Sequence, residues 1–416
     1  MDLDFFSAIE KELEIKKEIF KPNWSRYLDY DYIPPKPMYR EQEIKEIISR
    51  IVDFIMGRAT GNIIIYGLPG TGKTMSFLVA MKFLDQYIKK KNYKNVKIIY
   101  SKAKGAGISA LMVDICSNLN VNVPRRGFSF KEYFREVEKF VENNWYLHIC
   151  IDEFDNLLLD SKKKFEDLLY YFTRSKNIST TIITNKVDLA REITDARVLS
   201  SLDTLNVVPF KSYNKKQCYD ILKERVDLAF VDGFLPHESL EHIAEYVARE
   251  GGDIRNGLAL LRFCGKYAEN AGIKVLNKEK VFDLITKYGI LRDGELLKNT
   301  LSLSEKLAII AVYDLSLNLR TDVVDASDVY ATQDYYRSIL KLPGVNRDSF
   351  SVYLTRLSTT GLIDIIKKGY GRGKGTKSNI RLKVSRDAVK YLLFEDPDTA
   401  PLREYVFKEY NDMNPT

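Results

Sequence analysis

The sequence holds few of the residues that build disulfide or zinc frameworks: four cysteines and three histidines among 416 residues. Cys116, Cys150, Cys218 and Cys264 stand far apart with no paired spacing, so buried, reduced thiols are expected rather than bridges or zinc ligands. His148, His237 and His242 form no ligand pattern, which argues against a metal held by protein side chains alone. Long apolar runs are missing too; those at 62–66 and 147–151 are strand-sized and far shorter than a membrane span. The opening Met1-Asp2-Leu3-Asp4-Phe5-Phe6 is acidic where a secretion signal would be basic. These absences predict an intracellular, cytoplasmic chain. There is no internal repeat and no long low-complexity tract.

The rest is ordinary in bulk and informative in order. A hydrophobic fraction of 45% and a charged fraction of 29% suit a soluble globular protein, and the length suggests two or three domains. Net charge is only +7, yet from Ile365 to Arg386 all eight charges are positive, flanked by Asp364 and Asp387. A basic stretch alone is usually a solvated face, so it needs context.

A helical pattern at 5–20 leads into an extended Pro/Tyr-rich piece at 27–37. Short apolar runs at 62–66, 96–100, 147–151, 180–184 and 205–208 then alternate with helical segments. Near-continuous Ile/Val/Leu runs between helices predict a parallel sheet buried on both faces. Strands are expected to stop at Pro209. Helical periodicity at 215–230, 239–249, 253–268 and 278–287 predicts a small all-helical domain. A third region begins near Leu291, with helices at 304–317, 326–340 and 348–360 and two β-rich runs at 363–367 and 379–384. The two runs bracket a Gly-rich basic segment, 369–377, which describes a winged helix-turn-helix.

Gly67-Leu68-Pro69-Gly70-Thr71-Gly72-Lys73-Thr74 fits the phosphate-binding loop pattern, follows a predicted strand and precedes a helix opening at Met75. Its glycines let backbone N–H groups close around phosphates at a helix N-terminus. Lys73 is expected to reach the β- and γ-phosphates of ATP, and Thr74 to hold Mg²⁺. Asp152 and Glu153 close the 147–151 strand, placed for the Mg²⁺ shell and for orienting or deprotonating the attacking water. Asn185 ends the fourth run, as a water-orienting side chain or a turn residue. Arg255 opens a helix of the small domain, either solvated or touching the γ-phosphate and coupling domain angle to nucleotide state.

At the C-terminal end, Phe350, Leu354 and Leu357 recur at helical spacing and should face a core. Arg347, Ser349, Ser351, Tyr353 and Arg356 are left for the other sides, where a recognition helix meets DNA. The basic hairpin offers Arg372, Lys374 and Lys377 to a groove or to phosphates.

In this order the motifs resemble AAA+ ATPases and, more closely, the archaeal origin-recognition/Cdc-type replication initiator family. The resemblance covers nearly the whole chain. It is carried by Leu28-Asp29-Tyr30-Asp31-Tyr32-Ile33-Pro34-Pro35 with Arg40-Glu41, the phosphate loop, and 121–129 around Pro124-Arg125-Arg126-Gly127. It continues through Asp195-Ala196-Arg197, Ile221-Leu222-Lys223-Glu224-Arg225 and Gly252-Asp253-Ile254-Arg255. The family implies that Tyr32, Ile33 and Arg40 line the adenine pocket, and that Asn185 and Arg255 act as sensors 1 and 2. It implies that 108–126 is an initiator-specific insertion able to touch the minor groove, with Arg125 and Arg126 as contacts, and that Arg197 matches a finger-like position. Three features depart from the pattern: Lys186 stands where an acid is expected, Asn256-Gly257 follows sensor 2, and 101–107 is Gly/Lys-rich.

The expected fold is an α/β AAA+ core with a parallel sheet at 1–210 (insertion about 105–130), a helical lid at 211–290, a winged helix at 291–395 and a tail at 396–416. The expected function is an ATP-switched initiator that binds and bends double-stranded origin DNA, associates with the nucleoid, hydrolyses ATP slowly and helps recruit an MCM-type replicative helicase, beside paralogous initiators. ATP or ADP and Mg²⁺ are its expected cofactors. A DNA-dependent AAA+ motor or transposition-type ATPase, and a nucleotide-bound DNA regulator without turnover, are the alternatives.

Overall fold

The computed structural model describes residues 19–103, 107–142, 144–159, 162–186, 207–369 and 376–406. The helical pattern at 5–18, Arg197 and the centre of the basic hairpin lie outside them. The chain forms two compact units, 1–281 and 282–416.

In the first unit, β1 (Ile63–Gly67), β2 (Val96–Lys102), β3 (Tyr146–Asp152), β4 (Ile178–Thr184) and β5 (Val207–Phe210) form one sheet. The strand order is β2-β3-β4-β1-β5, and every pairing is parallel. Successive strand residues point to opposite faces, so Ile98 and Cys150 join one core while their neighbours Ile99 and Ile149 join the other. Helices α1 (Glu41–Ile55) and α2 (Lys73–Lys90) cover the first face through Ile47, Ile51, Phe77 and Leu84. Helices α3 (Gly107–Asn118), α4 (Phe130–Val141) and α5 (Lys162–Arg174) cover the second. With both faces buried, the strands need the continuous apolar runs seen in the sequence.

One detail departs from expectation. The fifth strand starts at Val207 and contains Pro209 rather than ending before it. It lies at the sheet edge, where a residue without an N–H is tolerated. His148 is fully buried between β3 and β4, sharing hydrogen bonds with the Ser179 and Thr181 hydroxyls, and burial pushes its pKa down to about 3. It is a neutral core residue. The four cysteines are free and buried.

Helices α6 (Lys215–Ala229), α7 (His237–Arg249) and α8 (Ile254–Ala271) follow β5 as a lid. Gly257, costly inside a helix by propensity, has a packing reason: a Cβ there would sit 2.9 Å from Leu222 and 3.0 Å from Val247. The glycine lets α8 close onto α6 and α7. An N-terminal strap fastens to the same lid. Phe20 forms an antiparallel bridge with Phe230 and stacks on it at 5.0 Å, while Lys21 pairs with Asp232 at 2.9 Å. Arg262 donates to the Leu28 carbonyl at 2.9 Å, and Tyr39 then bonds Asp220 just before α1 begins.

The helix predicted over 278–287 continues as α9 (Lys278–Thr300), so no helix break marks residue 291. The second unit then packs α10 (Leu303–Asn318), α11 (Ala326–Ile339), α12 (Arg347–Thr359) and α13 (Arg386–Glu395) around one core. Its antiparallel sheet runs β6 (Val323–Asp325), β8 (Thr376–Leu382), β7 (Ile363–Gly369). Neither the three-residue β6 nor α13 was foreseen. Leu402 and Val406 bury themselves in this core, which gives the start of the tail a structural place.

Candidate functional site

Because the strands are parallel, the C-terminal ends of β1, β3 and β4 meet at one sheet edge, where open α/β sheets hold ligands. A cavity of about 410 Å³ opens there. Gly70, Gly72, Lys73, Thr74, Met75, Asp152, Glu153, Asn185 and Arg255 all line it. Gly67, Leu68, Pro69 and Thr71 complete the loop without lining the cavity.

Lys73 is only 6% exposed. Its Nζ donates to the Gly67 and Leu68 carbonyls, each at 2.8 Å, and to Asn185 Oδ1 at 2.9 Å. Burial and then the nearby Arg255 charge push its pKa down to about 8, against the pull of Asp152, Asp155 and Asp253. An ammonium held this way is short of counter-charge, which a phosphate would supply.

Thr74 Oγ1 donates to Asp152 Oδ2 at 2.7 Å, and Tyr100 OH donates to the same oxygen at 2.7 Å. Burial, then this hydrogen bond, raises the Tyr100 pKa far above its usual value, so the phenol stays a donor. The Glu153 N–H donates to Asp152 Oδ1 at 2.8 Å. Glu153 itself has φ 55°, a left-handed conformation uncommon for a side chain of its size, as functional positions sometimes have. Its Oε2 accepts from Asn156 at 3.3 Å. Asn185 is held by its own N–H, which donates to Asp155 Oδ1 at 3.1 Å. Tyr100 and Asp155 were missed in the sequence. The available signal was an acid three residues past Asp152.

The lid closes the phosphate end. Asp253 caps α8 by accepting from the Arg255 N–H at 2.9 Å. It packs so tightly on Gly70 (φ +71°) that this loop position has no room for a Cβ. At the other end of the cavity, Tyr32 and Ile33 line the wall with Arg225, whose guanidinium lies 4.4 Å over the Tyr32 ring.

Arg40 does not line the cavity. It is 4% exposed behind the loop, with Nε bonded to the Thr71 carbonyl and the Tyr213 hydroxyl at 3.0 Å each. Its remaining nitrogens reach Glu43 at 2.8 Å and the Lys211 carbonyl at 2.6 Å. The expectation of an adenine contact gives way to a clamp that fixes the phosphate loop to the start of the lid.

In the second unit, Phe350, Leu354 and Leu357 face the core of α12, leaving Ser351 and Arg356 exposed and Ser349 and Tyr353 part-exposed. Asn346 caps the helix by accepting from the Ser349 N–H at 2.8 Å, and Arg347 lies 5.3 Å over the Tyr330 ring. Arg356 Nε sits 3.2 Å from the buried Glu305. Arg372 and Lys374 lie outside the described residues; Lys377 is on β8, its side chain likewise outside. In the first unit, Arg125 and Arg126 are exposed on a turn braced by the Tyr133 hydroxyl, which donates to the Pro124 carbonyl at 2.8 Å.

Family models match three stretches of the chain: an AAA domain at 56–191, a Cdc6 AAA+ ATPase-type lid domain at 219–283, and a CDC6 C-terminal winged helix domain at 297–392. An ORC1-type DNA replication protein 1 from Sulfurisphaera tokodaii is 31% identical over 370 residues, covering 86% of this chain and 89% of the relative. One from Thermococcus kodakarensis is 30% identical over 421 residues, covering 97% of each. The solved structure of the Aeropyrum pernix ORC1 protein in complex with DNA is 28% identical with a TM-score of 0.76, covering 92% of this chain and 99% of that one.

Proposed function

The chain belongs to the ORC1-type DNA replication protein family, as an AAA+ ATPase with a Cdc6-type lid and winged helix, and from that premise we propose that it is a replication initiator that binds and bends duplex origin DNA under the control of its nucleotide. The carrying observation is the joined phosphate end, where loop, acidic pair and lid face one cavity: Lys73, Asp152, Asn185 and Arg255. A γ-phosphate entering there meets groups from both the core and the lid. Its presence or loss therefore biases the lid angle.

Lys73 binds the phosphates, Asn185 and Glu153 orient the attacking water, and Glu153 takes its proton. Thr74 Oγ1 and Asp152 supply hard oxygen donors 2.7 Å apart, which suits Mg²⁺. When bound, the cation would neutralise charge on the phosphates. Arg255 on the lid reads the γ-phosphate. Slow turnover, fit for a switch rather than a motor, is part of the same reading. Arg347, Ser349, Ser351, Tyr353 and Arg356 with the hairpin residues Arg372, Lys374 and Lys377 are the proposed DNA contacts of the second unit, and the Arg125-Arg126 turn is a separate proposed contact of the first. Recruitment of an MCM-type helicase by the bound initiator completes the reading.

Genome-wide immunoprecipitation should find the protein concentrated at replication start sites, and purified protein should footprint the same sequences. A scattered distribution, with ring assembly and DNA-stimulated rapid turnover, would replace the initiator with a motor.

A further inference from the structure

Glu305 lies in the first turn of α10 and is fully buried. Its Oε2 is occupied by the Ser302 N–H at 2.8 Å and the Ser302 hydroxyl at 2.7 Å. Its Oε1 has no hydrogen-bond partner among the described residues, and the cation facing it is Arg356 of α12, with Nε at 3.2 Å. A carboxylate taken out of water needs a counter-charge. Here that charge comes from the helix whose opposite side, Phe350, Leu354 and Leu357, builds the core.

The pairing also restricts how the arginine is presented. The guanidinium is a rigid planar fork. Nε is the nitrogen nearest Glu305, without a hydrogen bond between them, and with the side chain 63% exposed the terminal Nη pair at the far end of the fork can face a ligand. Two parallel donors on that edge match O6 and N7 of guanine in the major groove. Its charge is already partly answered from below, which makes it a poorer phosphate ligand than a free arginine. The ion pair narrows its range of orientations before DNA arrives, which lowers the ordering cost of a directional contact.

We propose that Glu305 is a positioning residue that holds Arg356 to read one guanine of the bound site. The proposal rests on the reading of this unit as a duplex-binding winged helix.

The test begins with duplexes selected from a random pool by the full chain. Affinity is then measured for the selected duplex, for versions with each guanine replaced singly by 7-deazaguanine, and for an unrelated duplex, at several salt concentrations. One 7-deaza position should weaken the parent by roughly 2- to 10-fold, about half the free energy of a good bidentate base contact because O6 is kept. That sensitivity should vanish in Arg356→Ala and also in Glu305→Gln, although the latter keeps its arginine. In both variants the salt dependence should stay within a fraction of the ~0.9 log unit that one neutralised phosphate contributes. Arg356→Lys keeps the charge over Glu305 but replaces the fork with one ammonium, so it should remain folded and show a reduced 7-deaza effect. Parent-level 7-deaza sensitivity in Arg356→Lys or Glu305→Gln would overturn the proposal, as would a drop in salt slope of one whole phosphate for Arg356→Ala. A full chain that selects and binds no duplex would overturn the DNA reading itself, and this assignment with it.

Discussion

Replacing Arg40 with alanine separates a ligand contact from a structural clamp. The side chain has all three nitrogens engaged with four groups: the Thr71 carbonyl, the Tyr213 hydroxyl, Glu43 and the Lys211 carbonyl. It also lies 4.1 Å over the Tyr213 ring. Hydrogen bonds from a charged donor contribute about 1.5–3 kcal/mol each, but four cannot simply be added, since Glu43 can regain water. Removing one partner of a buried pair typically costs about 3–5 kcal/mol, and that range is the expected loss in nucleotide-free protein. It is a large share of a native stability of about 5–15 kcal/mol. Hydrogen exchange resolves it locally: amides of β1 and the first turns of α2 should lose roughly two to four orders of magnitude of protection. Arg40→Lys, with one point of charge in place of a fork, should recover less than half. Weakened ATP binding with unchanged protection in the empty protein would refute the clamp and return Arg40 to the ligand.

Other outcomes follow from the same geometry. Lys73 carries a folded pKa of about 8 against an ordinary 10.5. The native state therefore binds fewer protons than the unfolded chain in that window, and this group's penalty on stability eases as pH rises from about 8 to 10.5. ATP affinity should move the other way, flat below pH ~8 and falling above it by up to about tenfold per unit; calorimetric affinities flat to pH ~9.5 would exclude Lys73 as the phosphate's charge partner. Glu153→Gln should keep ATP binding and lose hydrolysis, and equal single-turnover rates for variant and parent would remove Glu153 from catalysis. Lys374→Ala with Lys377→Ala should weaken specific and random DNA alike and reduce the salt slope by about 0.9 log unit for each phosphate no longer neutralised, whereas an unchanged slope would leave the hairpin a solvated loop. Leu402→Ala should destabilise the second unit by about 2–5 kcal/mol, read by thermal melting; an unchanged melt would deny the tail its place in the core.

Local chemistry made much of this legible. The strand–loop–helix at Gly67–Thr74 and the acid pair ending β3 declare themselves through short-range rules, and the apolar runs found the sheet. The misses share another cause. Arg40 sits beside a site motif in sequence yet spends its donors 31 and 173 residues away, on Thr71 and Tyr213. Tyr100 matters because β2 pairs with β3, and nothing in its own neighbours says so. Glu305 reads as an ordinary first-turn acid until α12 lays Arg356 across it. Gly257 looked like a departure from family habit, and packing against Leu222 and Val247 explains it. β6, at three residues, is too short to show a period.

The lid of the first unit is joined to the core twice, once by the chain leaving β5 through Tyr213 and once by the strap that bridges to Phe230, passes the cavity and enters α1. A body hung from one point can swivel about three axes; a body hung from two turns about the line between them, as a door does. The cavity lies along the path of one of those hinges, lined there by Tyr32 and Ile33. On the proposed switch, occupancy of the cavity would have a single rotation to drive, and the work of a bound phosphate would not be dissipated among other motions. Cutting the chain within 29–38 while leaving the strap on the lid would keep every lid contact and convert the door into a pendulum.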